Sequence, residues 1–299
     1  MVASAVSASM IVCLLLAIGL LILSHKSARE GMSAQAGEPT IRRGNEIYTP
    51  LYCAMHDSLF RDQAKDSYEC TLIQQGLSID ENAQVLQIGL NNGHKSGLFS
   101  SGGATVTGTD AAETMVGRAR SLYPNVRFEL VDVDEEGSLS RLPQQTHILL
   151  LDFEIYKHKD KARLFNRLHN SLVAGGKLAL HTVDRDKFDP VLPGASVFLG
   201  VSPRKYVDNR ITKSHVEFDT HSYTGSFNTL NKEGEYEFVE FISPKDGGSI
   251  VHNVTPLYMP KQKELVEIAK RAGFAVAGSA GLEEVGYEHH RIYFLEKAA

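Results

Sequence analysis

The sequence predicts an α/β protein centred on a doubly wound, mainly parallel sheet. Three observations predict it. Strand-like runs at residues 85–88, 104–109, 126–131, 146–151 and 177–183 alternate with helical periodicity at 112–122 and 159–172, the pattern of βαβ units. Three of those runs end on an acid: Asp110, Asp132 and Asp152. The first run, VLQI, is followed at once by the turn GLNNG, residues 89–93. Gly89 and Gly93 let the backbone approach a ligand closely. Asp110, about 20 residues after the turn, stands where a strand-tip carboxylate accepts hydrogen bonds from ribose hydroxyls.

With 299 residues, 42% of them hydrophobic and 22% charged, the chain has room for one large α/β domain with additions. A net charge of −5 and the lack of a long basic run exclude charge-driven nucleic-acid binding, and no nucleic-acid partner is expected. The three cysteines, Cys13, Cys53 and Cys70, lack metal-ligand spacing and form no disulfide framework, which suits a reducing compartment.

Residues 5–23 carry no charged side chain and centre on MIVCLLLAIGLLIL. About 20 apolar residues suffice to cross a bilayer. Residues 1–25 are therefore expected to form a transmembrane helix, contacting lipid through 5–24. A cleaved signal peptide is the competing reading, but no Lys or Arg precedes the apolar run, as a signal peptide's basic start requires. Lys26, Arg29, Arg42 and Arg43 all follow it. The positive-inside bias then places the large domain in the cytosol, as the soluble part of a single-pass membrane protein. Residues 26–44, rich in Ser, Ala and Gly, read as a flexible tether with a reach on the order of 25 Å.

The folded domain is expected over 45–299. Residues 45–83 hold two helices, the first with Ile47, Leu51, Met55, Leu59 and Phe60 at helical spacing, the second at 66–75. Tyr48, Tyr52 and His56 either pack on the sheet or form a lid over the ligand site. Residues 84–184 hold the alternating core, where AGG at 174–176 stops the helix before the last parallel strand. From 185 to 259 the pattern changes. Segments 223–230, 236–242 and 249–257 alternate polar and apolar residues around Gly-containing turns at 232–234 and 246–248, as antiparallel strands do. Residues 260–299 hold a helix over 260–272 and strands at 274–278 and 291–295.

Read together, QIGLNNG (87–93), VTGTD (106–110), FELVD (128–132), LLLDF (149–153) and LVAGGKLAL (172–180) resemble, in order and spacing, the class I S-adenosylmethionine-dependent methyltransferases. The resemblance covers residues 84–183. It implies a Rossmann-like seven-stranded sheet and S-adenosylmethionine as cofactor, with Gln87, Gly89, Asn91, Gly93, Asp110, Asp132 and Asp152 around it. The antiparallel insertion and the segment LYCAMHDSLF (51–60) are similar to those of small-molecule N-methyltransferases of the amino-sugar type. HTVDRDKFDPVLP (181–193) with SPRKYVDNRITKS (202–214) resembles membrane-anchored methyltransferase-like proteins of giant DNA viruses and protists. Tyr52, His56 and Tyr156 are the residues expected to face the methyl acceptor, a small molecule or a membrane-associated group. Three positions depart from the family pattern. Gln87 stands where an acid is usual, Asn91 where the central glycine is, and His56 where the lid carries Tyr. The Asn91 side chain is expected to intrude on the methionine part of the cofactor.

Methyl transfer from a sulfonium needs chiefly an in-line nucleophile, with a base only where that nucleophile is protonated. The candidate bases are His181, Asp184 and His158. Asp184, Asp186 and Asp189 could offer oxygen ligands to a divalent cation, but Arg185 and Lys187 flank Asp186 and favour a solvated loop; no metal site is assigned. Glu288-His289-His290 lacks a third spaced ligand and reads as a turn. Two other readings remain open: a catalytically degenerate scaffold on the same fold, and a nucleotide-dependent oxidoreductase, for which the three-glycine spacing is absent.

Overall fold

The computed structural model describes residues 39–190 and 210–298. The chain enters as β1 (Thr40–Arg43), followed by α1 (Pro50–Phe60) and α2 (Gln63–Leu77). The core follows as β2 (Gln84–Ile88), α3 (His94–Ser101), β3 (Thr105–Asp110), α4 (Glu113–Leu122), β4 (Arg127–Leu130), β5 (Gln145–Leu150), the single turn α5 (Glu154–Lys157), α6 (Lys161–Ser171) and β6 (Leu172–Val183). Then come β7 (Lys213–Glu217), β8 (His221–Thr229), β9 (Glu235–Pro244), β10 (Val251–Tyr258), α7 (Gln262–Arg271), β11 (Phe274–Leu282) and β12 (Tyr287–Lys297).

The larger sheet has seven strands in the order β11-β12-β6-β5-β2-β3-β4. The five from β6 to β4 are parallel, and β12 runs antiparallel between β6 and β11. Both faces are covered, which is why the central strands read as continuous apolar runs. Leu86, Ile148, Leu150, Leu178 and Leu180 point to one side, against Leu164, Phe165 and Leu168 of α6 and Leu265 of α7. Val85, Leu149 and Ala179 point to the other, against Ile73 and Leu77 of α2 and Phe99 of α3. Each large aliphatic or aromatic side chain buried this way contributes about 1.5–3 kcal/mol. The strand order reverses between β2 and β5, and the tips of β2, β3 and β5 meet there, at the usual ligand crevice of such a sheet.

The insertion forms a second sheet, β1-β10-β9-β8-β7. Its strands are antiparallel except β1, which pairs in parallel with β10 from Thr40↔Val251 to Arg43↔Val254. Residues 40–43, expected to end the tether, are therefore structured: their backbone groups complete the edge of this sheet. The short polar strand β7 was not expected either. The second helix begins at Gln63 rather than 66, because Asp62 caps it by accepting from the amides of Ala64 and Lys65 at 3.0 Å each. Glu288, His289 and His290 lie within β12, not in a turn, with His290 paired to Val183. The apolar run at 5–24, residues 26–38 and the motif residues between 191 and 209 lie outside the described residues. Among the described residues no helix is long and apolar enough to cross a membrane.

Candidate functional site

The turn after β2 is built for close approach. Gly89, Asn91, Asn92 and Gly93 all have positive φ, at +77°, +43°, +65° and +79°. Asn tolerates this region better than other side chains, so the turn keeps its shape with Asn at the central position. Gln87 lies beneath the turn, fully buried. Its amide donates to the Gly89 carbonyl at 3.1 Å, and its carbonyl accepts from the Ser96 hydroxyl at 2.6 Å. It holds the loop's shape and does not face the crevice, contrary to the expectation that it lines the cofactor site.

Asp110 sits at the tip of β3. Its two carboxylate oxygens accept from the backbone amides of Leu90 (3.0 Å) and Ala112 (2.9 Å). Each oxygen keeps a free lone pair, since a carboxylate offers about four acceptor sites. Burial and the neighbouring Glu154 push its pKa up. A Cβ built on Gly89 would meet the Glu154 carboxylate at 2.5 Å, so the cradle opened by this glycine is filled by the chain's own acid. Lys157 binds Glu154 at 2.7 Å. Burial alone would raise the Glu154 pKa, but Lys157 and His158 outweigh it and hold the group at about 2. Asp132, at the tip of β4, is exposed and accepts from the amide of Asp134 at 2.8 Å.

The tip of β5 is different. Asp152 has a left-handed backbone, φ +53°, and binds Lys65 at 2.9 Å, Lys95 at 2.6 Å and the Asn91 amide at 2.8 Å. Both lysines also bind the fully buried Glu69, at 3.0 and 2.7 Å. Burial opposes ionisation of Asp152 and Glu69. The two ammonium groups outweigh it, holding Asp152 well below the usual range and Glu69 at about 2. Glu69, Asp152 and His181 have ligand atoms within 4.8 Å of one another, but the lysines already supply the positive charge. Asp184 and Asp189, where no metal site was assigned, accept from backbone amides: Asp184 from that of Asp186, Asp189 from that of Ile211.

Between these tips and the second sheet lies a cavity of about 210 Å³, below the roughly 300–1,000 Å³ of ordinary ligand pockets. Tyr52, His56, Asn91, Asp152, Glu154 and His181 all line it. The Tyr52 hydroxyl donates to buried Glu240 at 3.0 Å. His56 and His181 are pushed down to about 4 by burial, so both imidazoles are neutral at pH 7. His181 Nε2 lies 3.1 Å from Nδ1 of His290, a cavity residue that the sequence reading placed in a turn. Three expected residues face elsewhere. Tyr156 is fully buried, its hydroxyl accepting from the Val183 amide at 2.8 Å. His158 turns to Asp134 at 2.8 Å. Asp184 closes the turn after β6.

No protein-family model matches the chain. The described residues superpose on solved structures of similar fold. The CcbJ methyltransferase of Streptomyces caelestis superposes with a TM-score of 0.61 at 13% identity, over 85% of this chain and 98% of that one. The S-adenosylmethionine-bound amino pentose methyltransferase CalS10 of Micromonospora echinaspora superposes with a TM-score of 0.57 at 15% identity, over 83% and 97%. The fold is that of the class I S-adenosylmethionine-dependent methyltransferases. Two curated proteins align with part of the chain. Trans-aconitate 2-methyltransferase of Variovorax paradoxus is 30% identical over 108 residues, 36% of this chain and 40% of that protein. "Putative methyltransferase 235L" of Invertebrate iridescent virus 6 is 24% identical over 157 residues, 52% of each. The chain thus spans about half the length, or less, of the curated relatives it matches.

Proposed function

We propose that the chain is an S-adenosylmethionine-dependent methyltransferase, tethered to a membrane through residues 5–24 and acting on a small or membrane-associated acceptor. The observation that carries this reading is Asp110: a carboxylate at the β3 tip, aimed by two backbone amides, beside a left-handed glycine turn on a methyltransferase fold. Its free lone pairs fit the two ribose hydroxyls. The tight turn fits a ligand lying against its backbone once the Glu154 side chain swings aside. The amino pentose methyltransferase among the structural neighbours supports a small-molecule acceptor. The bound cofactor would supply an activated methyl group on sulfur. The chain's own part is to place the acceptor beneath α1 and to accept its proton, for which His56, His181 and His290 are neutral and line the cavity.

Isothermal titration with S-adenosylmethionine and S-adenosylhomocysteine tests the cofactor; absence of heat at millimolar ligand would remove it. Liposome flotation of the full chain against a chain lacking residues 1–25 tests the tether: only the full chain should float. A second reading, a degenerate scaffold, is favoured by one observation. Glu154 fills the Gly89 cradle while Asn91 bridges to Asp152, so the crevice is closed by the chain's own side chains. The same titration separates the two readings.

A further inference from the structure

The two sides of the cavity differ in chemistry. Its charged groups, Lys65, Lys95, Asp152, Glu154 and Lys157 among them, come from the helices and loops around the larger sheet. Among the described residues, the second sheet gives the cavity four side chains, Phe227, Phe238, Thr255 and Leu257, none of them charged. Phe188 continues this wall. Its ring centroid lies 5.6 Å from that of Phe227 and 5.5 Å from that of Phe153. Phe60 of α1 meets Phe238 edge-on at 6.2 Å. The Tyr52 hydroxyl is engaged with buried Glu240 at 3.0 Å, and the Tyr223 hydroxyl donates to the same carboxylate at 2.9 Å. A molecule lying against the second sheet therefore meets ring faces and edges, with one hydroxyl, that of Thr255, in the wall.

Two imidazole nitrogens are left over. Nδ1 of His56 and Nδ1 of His181 are buried without a hydrogen-bond partner, in residues that line the cavity. In the tautomer where His181 Nε2 donates to His290 Nδ1, 3.1 Å away, the free Nδ1 is an acceptor. A buried polar atom left unpaired carries its full desolvation cost, which a ligand donor at either nitrogen offsets.

Other acceptor chemistries fit this wall less well. A sugar would bury several hydroxyls against it, and each hydroxyl stripped of water without a partner costs free energy. An ammonium group is drawn to ring faces, but Asp152 already faces Lys65 and Lys95, and Glu154 faces Lys157. A further cation would meet like charge.

We propose that the methyl acceptor is an uncharged, flat aromatic ring carrying one N–H or O–H group, with its faces against Phe188, Phe227 and Phe238 and its polar group toward His56 or His181. This substrate class rests on the methyltransferase reading given above.

Titration calorimetry of the full chain tests it, first with S-adenosylhomocysteine alone, then with indole, glucosamine and tetramethylammonium each added to the saturated protein. Indole should bind saturably, and more tightly than either of the others by about tenfold or more. Phe238→Ala should weaken indole about tenfold, through the lost ring contact, and leave S-adenosylhomocysteine binding unchanged. Glucosamine or tetramethylammonium binding as tightly as indole would overturn the aromatic class while leaving the methyltransferase reading intact. So would the absence of indole heat on the saturated protein. Absence of heat with S-adenosylhomocysteine itself would overturn that reading, and the acceptor class with it. The wild-type comparison decides the matter even where the Phe238 variant does not fold.

Discussion

Asp110 and Asp152 occupy equivalent places, each at the C-terminal end of a parallel strand beside the crevice, yet they are held in opposite ways. Asp110 is fixed by two neutral backbone amides and its pKa is raised, because burial and Glu154 oppose its charge. Asp152 is fixed by two buried ammonium groups and its pKa is driven well down despite burial. The first arrangement keeps acceptor capacity for a ligand. The second spends it on the protein's own lysines and ties α2, α3 and β5 together. A strand-tip acid is therefore a place, and its partners decide whether it serves binding or cohesion.

The largest effect should come from breaking the second arrangement. Lys95→Met leaves Glu69 and Asp152 sharing one ammonium group, and removing one partner of a buried pair costs about 3–5 kcal/mol. Chemical denaturation should show that loss; a change within about 1 kcal/mol would mean that the quartet is solvated in the native protein. Acid should act on the same groups. Folded Glu69 and Asp152 ionise below their ordinary values, so their stabilisation is complete above about pH 4.5 and is lost as pH falls toward 2. His56 and His181, lowered from 6.5 to about 4, add an earlier loss. Between those values the unfolded chain takes up protons that the folded chain refuses. The unfolding free energy should fall by roughly 1 kcal/mol or more per pH unit from 6.5 to 4.5, read from denaturation midpoints across pH. Asp110 has the opposite sign, its raised pKa making its contribution fade as pH rises.

Breaking the first arrangement should cost less. Asp110→Ala orphans the amides of Leu90 and Ala112, which is worth about 1–3 kcal/mol. Its main effect should be on ligand, weakening S-adenosylhomocysteine binding about ten- to a hundredfold, with Asp186→Ala as an unchanged control. Equal affinity in the wild type and the Asp110 variant would sink the assignment of the ribose site.

The two tips were unequally legible in the sequence. Asp110 could be located because a strand, a glycine turn and an acid follow at fixed spacing, as could the central strands, since each is a run bounded by its own turn; the seven-stranded sheet was implied only by the family resemblance, and the order of its strands was not read. The β5 tip was read as a site, but not its partners. Lys65 and Glu69 look like a solvated i,i+4 pair. The signal that places them inside is that Lys65, Glu69, Ile73 and Leu77 form one i,i+4 row, whose last two members are core residues. Lys95 and His290 carry no such signal, because their burial depends on strands and helices far away in sequence. The edge strands β1 and β7 were missed for a related reason: TIRR and KSHVE are short and polar, and only pairing with β10 and β8 makes them strands.

Glu154 gives the smallest effect and the sharpest test of the contrast between the tips. It belongs to α5, just past Asp152, yet its carboxylate lies in the Gly89 cradle, near enough to Asp110 to raise that group's pKa. Its removal leaves Lys157 beside Asp110, a favourable neighbour, and opens space along the loop. Glu154→Ala should therefore tighten S-adenosylhomocysteine binding about three- to tenfold, roughly 1 kcal/mol. The partly exposed Lys157 keeps water contact, so the stability change should stay small. Calorimetry on the variant reads the sign directly. Tighter binding identifies Glu154 as a side chain displaced by the ligand; weaker binding would make it one of the groups that hold the ligand, and the β5 tip would then serve binding as well as cohesion.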